Sequence, residues 1–197
     1  RGVAKGDDWR FDGRRLVAAR VDGTYWMYLN CLSTRGGRCL CMATSDNLRD
    51  WQVLRDAKGQ LVHPMALRPG YFDSDYIDTT AAVLRSDGIL LIYNGINARP
   101  QAGGDARLQH TAHYPAQALF DRGAPWKLLR RSESPFLGGC QELEKQPIVF
   151  WTAPLYEAWS LVPWGGELLL YWNHAFGRRG VVLSKGPLSE NLTGPTP

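Results

Sequence analysis

The chain has 197 residues, 44% hydrophobic and 21% charged, which suits one domain with enough apolar material for a core. No run of about 18 apolar residues occurs, so no membrane-spanning helix is expected. The net charge of +4 comes from scattered pairs (Arg14-Arg15, Arg130-Arg131, Arg178-Arg179) rather than a basic stripe, and neither a nucleic-acid nor a membrane partner is expected.

With 12 prolines and 21 glycines, helix signals are weak, and no long window keeps a 3.6-residue apolar period. Short β-rich runs separated by Gly, Asp and Asn turns point to an all-β fold. From the N-terminus, Trp9 precedes "DGRRLVAARVDGTYWMYLN", Asp12 to Asn30, which reads as strand, Asp-Gly turn and strand. "RCLCMATSDNLRDW" follows as a third strand ending in a polar turn, and "WQVLRDA" as an outer strand. "DTTAAVLRSDGILLIYNG", Asp78 to Gly95, repeats the plan, with "WKLLRRS" as its outer strand. "EAWSLVPWGGELLLYWN", Glu157 to Asn173, repeats it again, and "GVVLSKGPLS" continues it as the third strand. Aligned on Tyr28, Tyr93 and Tyr171, the segments start with Asp12, Asp78 and Glu157, and Asn30 and Asn173 coincide with Gly95 between them.

Such repeating units are blades of a β-propeller of four-stranded antiparallel sheets. Three to four blades are visible, in a single domain over 1–197, with repeats near 9–56, 73–131 and 147–190. The first strand of a blade lines the central channel, so acids at equivalent strand starts converge on one funnel. For each acid the plainer alternative is a turn carboxylate bonded to backbone N–H groups.

The quoted segments resemble the five-bladed propeller glycosidases of families 43, 32, 68 and 117, and the mannoside phosphorylases and hydrolases of family 130. "YEAWSLVPWGGELLLYWN" resembles the blade that carries the acid glutamate in family 43. For family 130 the resemblance runs through "SDGILLIYNG", "HYPAQALFDRGAPWKLLRRSESPFL" and "GGELLLYWNHAF" in order. "MATSDNLRDW" is similar to a strand ending found throughout that superfamily. Two departures stand out: 197 residues supply fewer than five blades, and Asp12 and Asp78 lie only one blade apart.

The resemblance implies glycosidic bond cleavage by a carboxylate pair, one carboxyl protonating the leaving oxygen and one carboxylate acting as nucleophile or base. Glu157 is the expected general acid, since Tyr156, Trp159 and Trp164 nearby disfavour its charged form. Asp12 is the expected base or nucleophile, and Asp78 the residue that tunes its neighbours and binds a sugar hydroxyl. Substrate contacts are expected from Trp9, Trp159, Trp164, His174, Glu142 and Arg15, Glu142 or Glu144 being a rival functional acid under the family 130 resemblance. Trp26 and Trp172 are expected in blade packing. Rival readings are a phosphorylase of the family 130 kind, a non-catalytic carbohydrate-binding propeller, and a set of blades completed by a partner chain, including a second copy.

No cofactor and no metal are expected. His110 and His113, three apart in a strand, face opposite sides. Cys31, Cys39, Cys41 and Cys140 match no zinc knuckle. Cys39 and Cys41 share a strand face, and Cys31 and Cys39 flank a turn that sets them opposite each other. Buried free thiols are the expectation and a Cys31–Cys39 disulfide the alternative. The first residue, Arg1, leaves both a cytoplasmic and a secreted location open.

Overall fold

Eleven strands in three antiparallel sheets make up the described part of the computed structural model, which covers residues 9–33, 38–136, 156–165, 167–174 and 181–187. Within these, side chains are described for 19–32, 39–136, 157–165 and 167–171. The first sheet is a meander of β1 (Trp9–Val21), β2 (Thr24–Ser33), β3 (Arg38–Ser45) and β4 (Gln52–Val53). The second repeats it with β5 (Tyr76–Arg85), β6 (Gly88–Ile96), β7 (His113–Phe120) and β8 (Leu128–Arg131). The third contains β9 (Tyr156–Trp164), β10 (Glu167–His174) and β11 (Val181–Pro187). The protein is therefore all-β, and its four-stranded sheets resemble propeller blades. The outer strands β4 and β8 fall within "WQVLRDA" and "WKLLRRS".

Turn chemistry sets the first hairpin. Val21 pairs with Thr24, and the two loop residues Asp22 and Gly23 have φ of 47° and 89°, the doubly left-handed geometry that an Asp-Gly pair accepts. The sheets then stack through alternation. Ile89, Leu91 and Tyr93 of β6 pack with Tyr28, Leu40 and Met42 of the first sheet. Leu90 and Ile92, on the opposite pleat face, pack with Ala158, Leu168 and Leu170 of the third. Each such side chain contributes about 1.5–3 kcal/mol on burial, so the second sheet is a two-sided core element. Trp26 packs against the first cluster, with its ring 5.6 Å from that of Trp126.

Register corrects one detail of the repeat. Asp12 pairs with Asn30, Asp78 with Asn94, and Glu157 with Asn173, so the residue equivalent to Asn30 and Asn173 is Asn94 rather than Gly95. The offset comes from the tyrosines, since Tyr93 directly precedes Asn94 while Tyr28 and Tyr171 stand two residues before Asn30 and Asn173. A bulge follows each acid. It takes up 13–16 in β1, Thr80 in β5 and Trp159 in β9. The first bulge holds four residues and the other two hold one each.

The cysteines also differ from expectation. Cys31 and Cys39 are directly opposed, yet the bond joins Cys31 to Cys41, two residues further along the same pleat face, and Cys39 keeps its thiol. Burial pushes the Cys39 thiol up to about 12. Cys140 lies outside the described residues.

A buried ionic knot fixes the segment that enters the second sheet. Arg68 donates Nε and Nη2 to Asp73 at 3.0 and 2.8 Å, Arg131 Nη2 stands 2.6 Å from Asp73 Oδ2, and the Tyr93 hydroxyl donates to the same oxygen at 3.0 Å. Burial raises the Tyr93 phenol well above its ordinary value, and the Asp73 charge raises it further against the lowering pull of Arg131. Gly95 lies under this knot. A Cβ there would stand 2.6 Å from both the Asp73 Cβ and the Phe72 ring.

Candidate active site

The inner strands β1, β5 and β9 lie side by side, β5 between the other two. Asp78 and Glu157 therefore meet at one end of the stack. Asp78 and Glu157 are 6% and 5% exposed, and one oxygen of each lies within 4.8 Å of the other and of a His113 ring nitrogen. The His113 Nδ1 is 3.5 Å from Glu157 Oε1. A bulge lies two residues after each of these acids, at Thr80 and Trp159, a common feature beside reactive sites.

Two asparagines hold the acids in place. Asn30 donates Nδ2 to Asp78 Oδ1 at 2.6 Å, a short charge-assisted bond, while its Oδ1 accepts the Thr79 N–H at 3.2 Å. Asn94 repeats the move one sheet further on. Its Oδ1 accepts the Ala158 N–H at 2.8 Å and its Nδ2 donates to the Ala158 carbonyl at 3.0 Å, fixing the backbone just after Glu157. Thr80, the bulge residue, donates its hydroxyl to the same carbonyl at 3.0 Å. Each asparagine is the strand partner of its own sheet's acid and reaches across to the next sheet's acid segment. Asn173 holds the same register position in the third sheet.

Of the residues expected from sequence, the structure brings Asp78 and Glu157 together. Asp12 has the equivalent strand position, and its side chain lies outside the described residues, as do those of Trp9, Arg15 and His174. His174 ends β10 opposite Tyr156, next to the Asn173–Glu157 pair. Trp159 is the bulge residue two positions after Glu157 and is 58% exposed. Trp164 is 73% exposed and ends β9, roughly 20 Å along the strand from Glu157. Glu142 lies outside the described residues.

His113 was missed as a site residue, because facing opposite ways from His110 argued only against joint ligation. Its signal was position: it opens β7, opposite Ile96 at the end of β6, which places it at the acid end of the sheet. Two carboxylate oxygens and an imidazole nitrogen suit proton transfer, and by donor type they also suit a divalent cation.

No family model and no curated protein matches the chain. Among solved structures, a candidate glycosidase of Bacteroides thetaiotaomicron is 31% identical with a TM-score of 0.71, over 87% of this chain and 49% of its own. A candidate glycoside hydrolase of Parabacteroides distasonis is 35% identical with a TM-score of 0.66, over 80% of this chain and 46% of its own. A structure from the mannoside phosphorylase family 130, which contains hydrolases that target β-1,2-mannosidic linkages, shares the fold at 24% identity, with a TM-score of 0.72 over 88% and 48%. The chain is similar in sequence and fold to solved structures described as glycosidases, and it shares the fold of the mannoside phosphorylase family. It spans about half the length of the structures it matches. Among the described residues no helix is long and apolar enough to cross a membrane.

Proposed function

We propose that the chain is a propeller glycoside hydrolase whose funnel holds the cluster of Asp78, His113 and Glu157. Glu157 gives its proton to the departing glycosidic oxygen while water adds to the anomeric carbon, directly or after a covalent intermediate. The convergence of Asp78, His113 and Glu157 from separate strands of neighbouring sheets is the observation that carries this reading. Asp78 and Glu157 are too close to admit the attacking water of an inverting pair, for which the carboxyls stand about 6.5–9.5 Å apart. Asp78 is assigned to orienting Glu157 and a sugar hydroxyl. Asp12, at the same register position in the first sheet, is assigned as base or nucleophile.

Glu157→Gln tests the assignment. Loss of glycoside cleavage with retained sugar binding supports it; unchanged turnover overturns it. A wild-type chain that binds sugar without cleaving it identifies a binding protein instead. The fold shared with the mannoside phosphorylase family favours a phosphorylase as second reading. Cleavage that requires inorganic phosphate and releases a sugar phosphate selects it, and phosphate-independent cleavage rejects it. The exposed Val162 and Trp164 of the third sheet favour a second copy of the chain as the piece that completes the ring. Solution mass over a range of concentrations tests that.

A further inference from the structure

Sulfur collects on the face of the first sheet turned away from the second. Tyr28, Leu40 and Met42 point toward the second sheet, so their strand neighbours Leu29, Cys31, Cys41 and Ala43 point the other way, into a cluster with Leu61. Cys31 opposes Cys39 across the hairpin, and Cys41 follows on the same face. All three sulfurs lie within 4.8 Å of one another, with Cys39 Sγ 3.9 Å from Cys41 Sγ. After β4 the chain folds back through the Arg55–Leu61 bridge and the bond from Val62 N–H to the Leu54 carbonyl. That return brings His63 Nδ1 to 3.7 Å from Cys41 Sγ and 3.2 Å from the Leu40 carbonyl.

We propose that, when reduced, this cluster is a structural zinc site built from Cys31, Cys39, Cys41 and His63. The spacing carries it. A tetrahedral zinc with bonds of about 2.3 Å to sulfur and 2.0–2.1 Å to nitrogen has ligand edges of about 3.8 Å between sulfurs and about 3.6 Å from sulfur to nitrogen. The observed 3.9 Å between Cys39 and Cys41 and 3.7 Å between Cys41 and His63 match two of those edges; for the others, Cys31 and Cys41 part on reduction and the His63 ring turns its Nδ1 from the Leu40 carbonyl toward the sulfurs. Three thiolates and one imidazole select zinc over harder cations. Cys31 and Cys41 are fully buried, which matches a closed structural site.

The disulfide and the metal exclude each other. A phosphine or dithiol reductant supplies two electrons to the Cys31–Cys41 bond and is itself oxidised, and two protons complete the thiols. Zinc then displaces one proton from each of the three thiols. The sites of glycoside chemistry take no part, so this inference stands or falls independently of the proposed function.

Cobalt(II) titration of the whole chain, reduced by a phosphine without oxygen, tests it. One equivalent is expected to give a thiolate-to-cobalt charge-transfer band and tetrahedral ligand-field bands, both removed by equimolar zinc. Cys39→Ser is expected to weaken cobalt binding by about a hundredfold and His63→Ala by at least about tenfold. The oxidised chain is expected to show no such band. Absence of the band in the reduced wild type overturns the proposal whatever the variants do. So does cobalt bound without thiolate charge transfer, as at Asp78, His113 and Glu157, or a Cys39→Ser chain that titrates like wild type.

Discussion

Asn94 grips Ala158 from both sides, accepting its N–H at 2.8 Å and donating to its carbonyl at 3.0 Å. An amide side chain thus stands in for a strand neighbour at the junction of the second and third sheets, one residue from Glu157. Asn94→Ala leaves the buried Ala158 groups without this partner and is expected to cost about 1–3 kcal/mol. Denaturant midpoints measure the loss. Cleavage is expected to fall further than stability explains, because the Glu157 backbone is released.

The knot at Asp73 predicts a larger effect. Asp73→Asn keeps the shape but removes the charge that Arg68 and Arg131 share in a buried setting. Breaking a buried ion pair on one side costs about 3–5 kcal/mol. Chemical denaturation of the variant is expected to show a loss of that size.

Gly95→Ala places a methyl against Phe72 and the Asp73 side chain, where the available gap is 2.6 Å. Overpacking of this kind costs about 1–3 kcal/mol. Gly95 follows Asn94 in β6, so reduced turnover is expected along with a lower melting temperature.

His113→Ala tests whether the imidazole positions Glu157. A fall in kcat with little change in KM and an altered pH profile are expected, while His113→Gln, which keeps a polar group near Glu157, is expected to recover part of the rate. Equal loss in both variants with an unchanged pH profile would assign His113 to packing.

Asp105 gives a pH test. Hydrogen bonds from Arg107 hold its carboxyl below the ordinary range, outweighing burial, with Nε and Nη2 donating at 2.9 and 2.7 Å. A depressed folded-state value stabilises the fold above the unfolded value of about 3.9, and that contribution disappears as pH falls through the folded value. Arg107→Ala is therefore expected to lower the urea midpoint near neutral pH and to match wild type at about pH 2.

Much of this arrangement was legible in the chain. Alternating apolar strands, Asp-Gly turns and the repeated acid-strand-turn-strand plan gave the sheets and drew attention to Asp78 and Glu157, because period and turn chemistry are local. The bulges were not legible, since an extra residue in a strand leaves no mark in an apolar pattern, and Gly95 was aligned where Asn94 belongs because Tyr93 lies one position nearer its asparagine than Tyr28 and Tyr171 do. His113 and His63 were passed over for a related reason. Each matters through a partner in another strand, Glu157 or Cys41, and such pairings arise only once strands are in register.

Because Asn30 and Asn94 belong to sheets other than those whose acids they steady, no sheet carries a finished pocket by itself. Lateral docking and the making of a reactive centre are one event, so a half-assembled intermediate is chemically mute. Under the proposed function, selection for turnover acts on apolar contacts far from any sugar, and drift at Leu90 or Leu168 silences the protein while leaving every ionisable group intact.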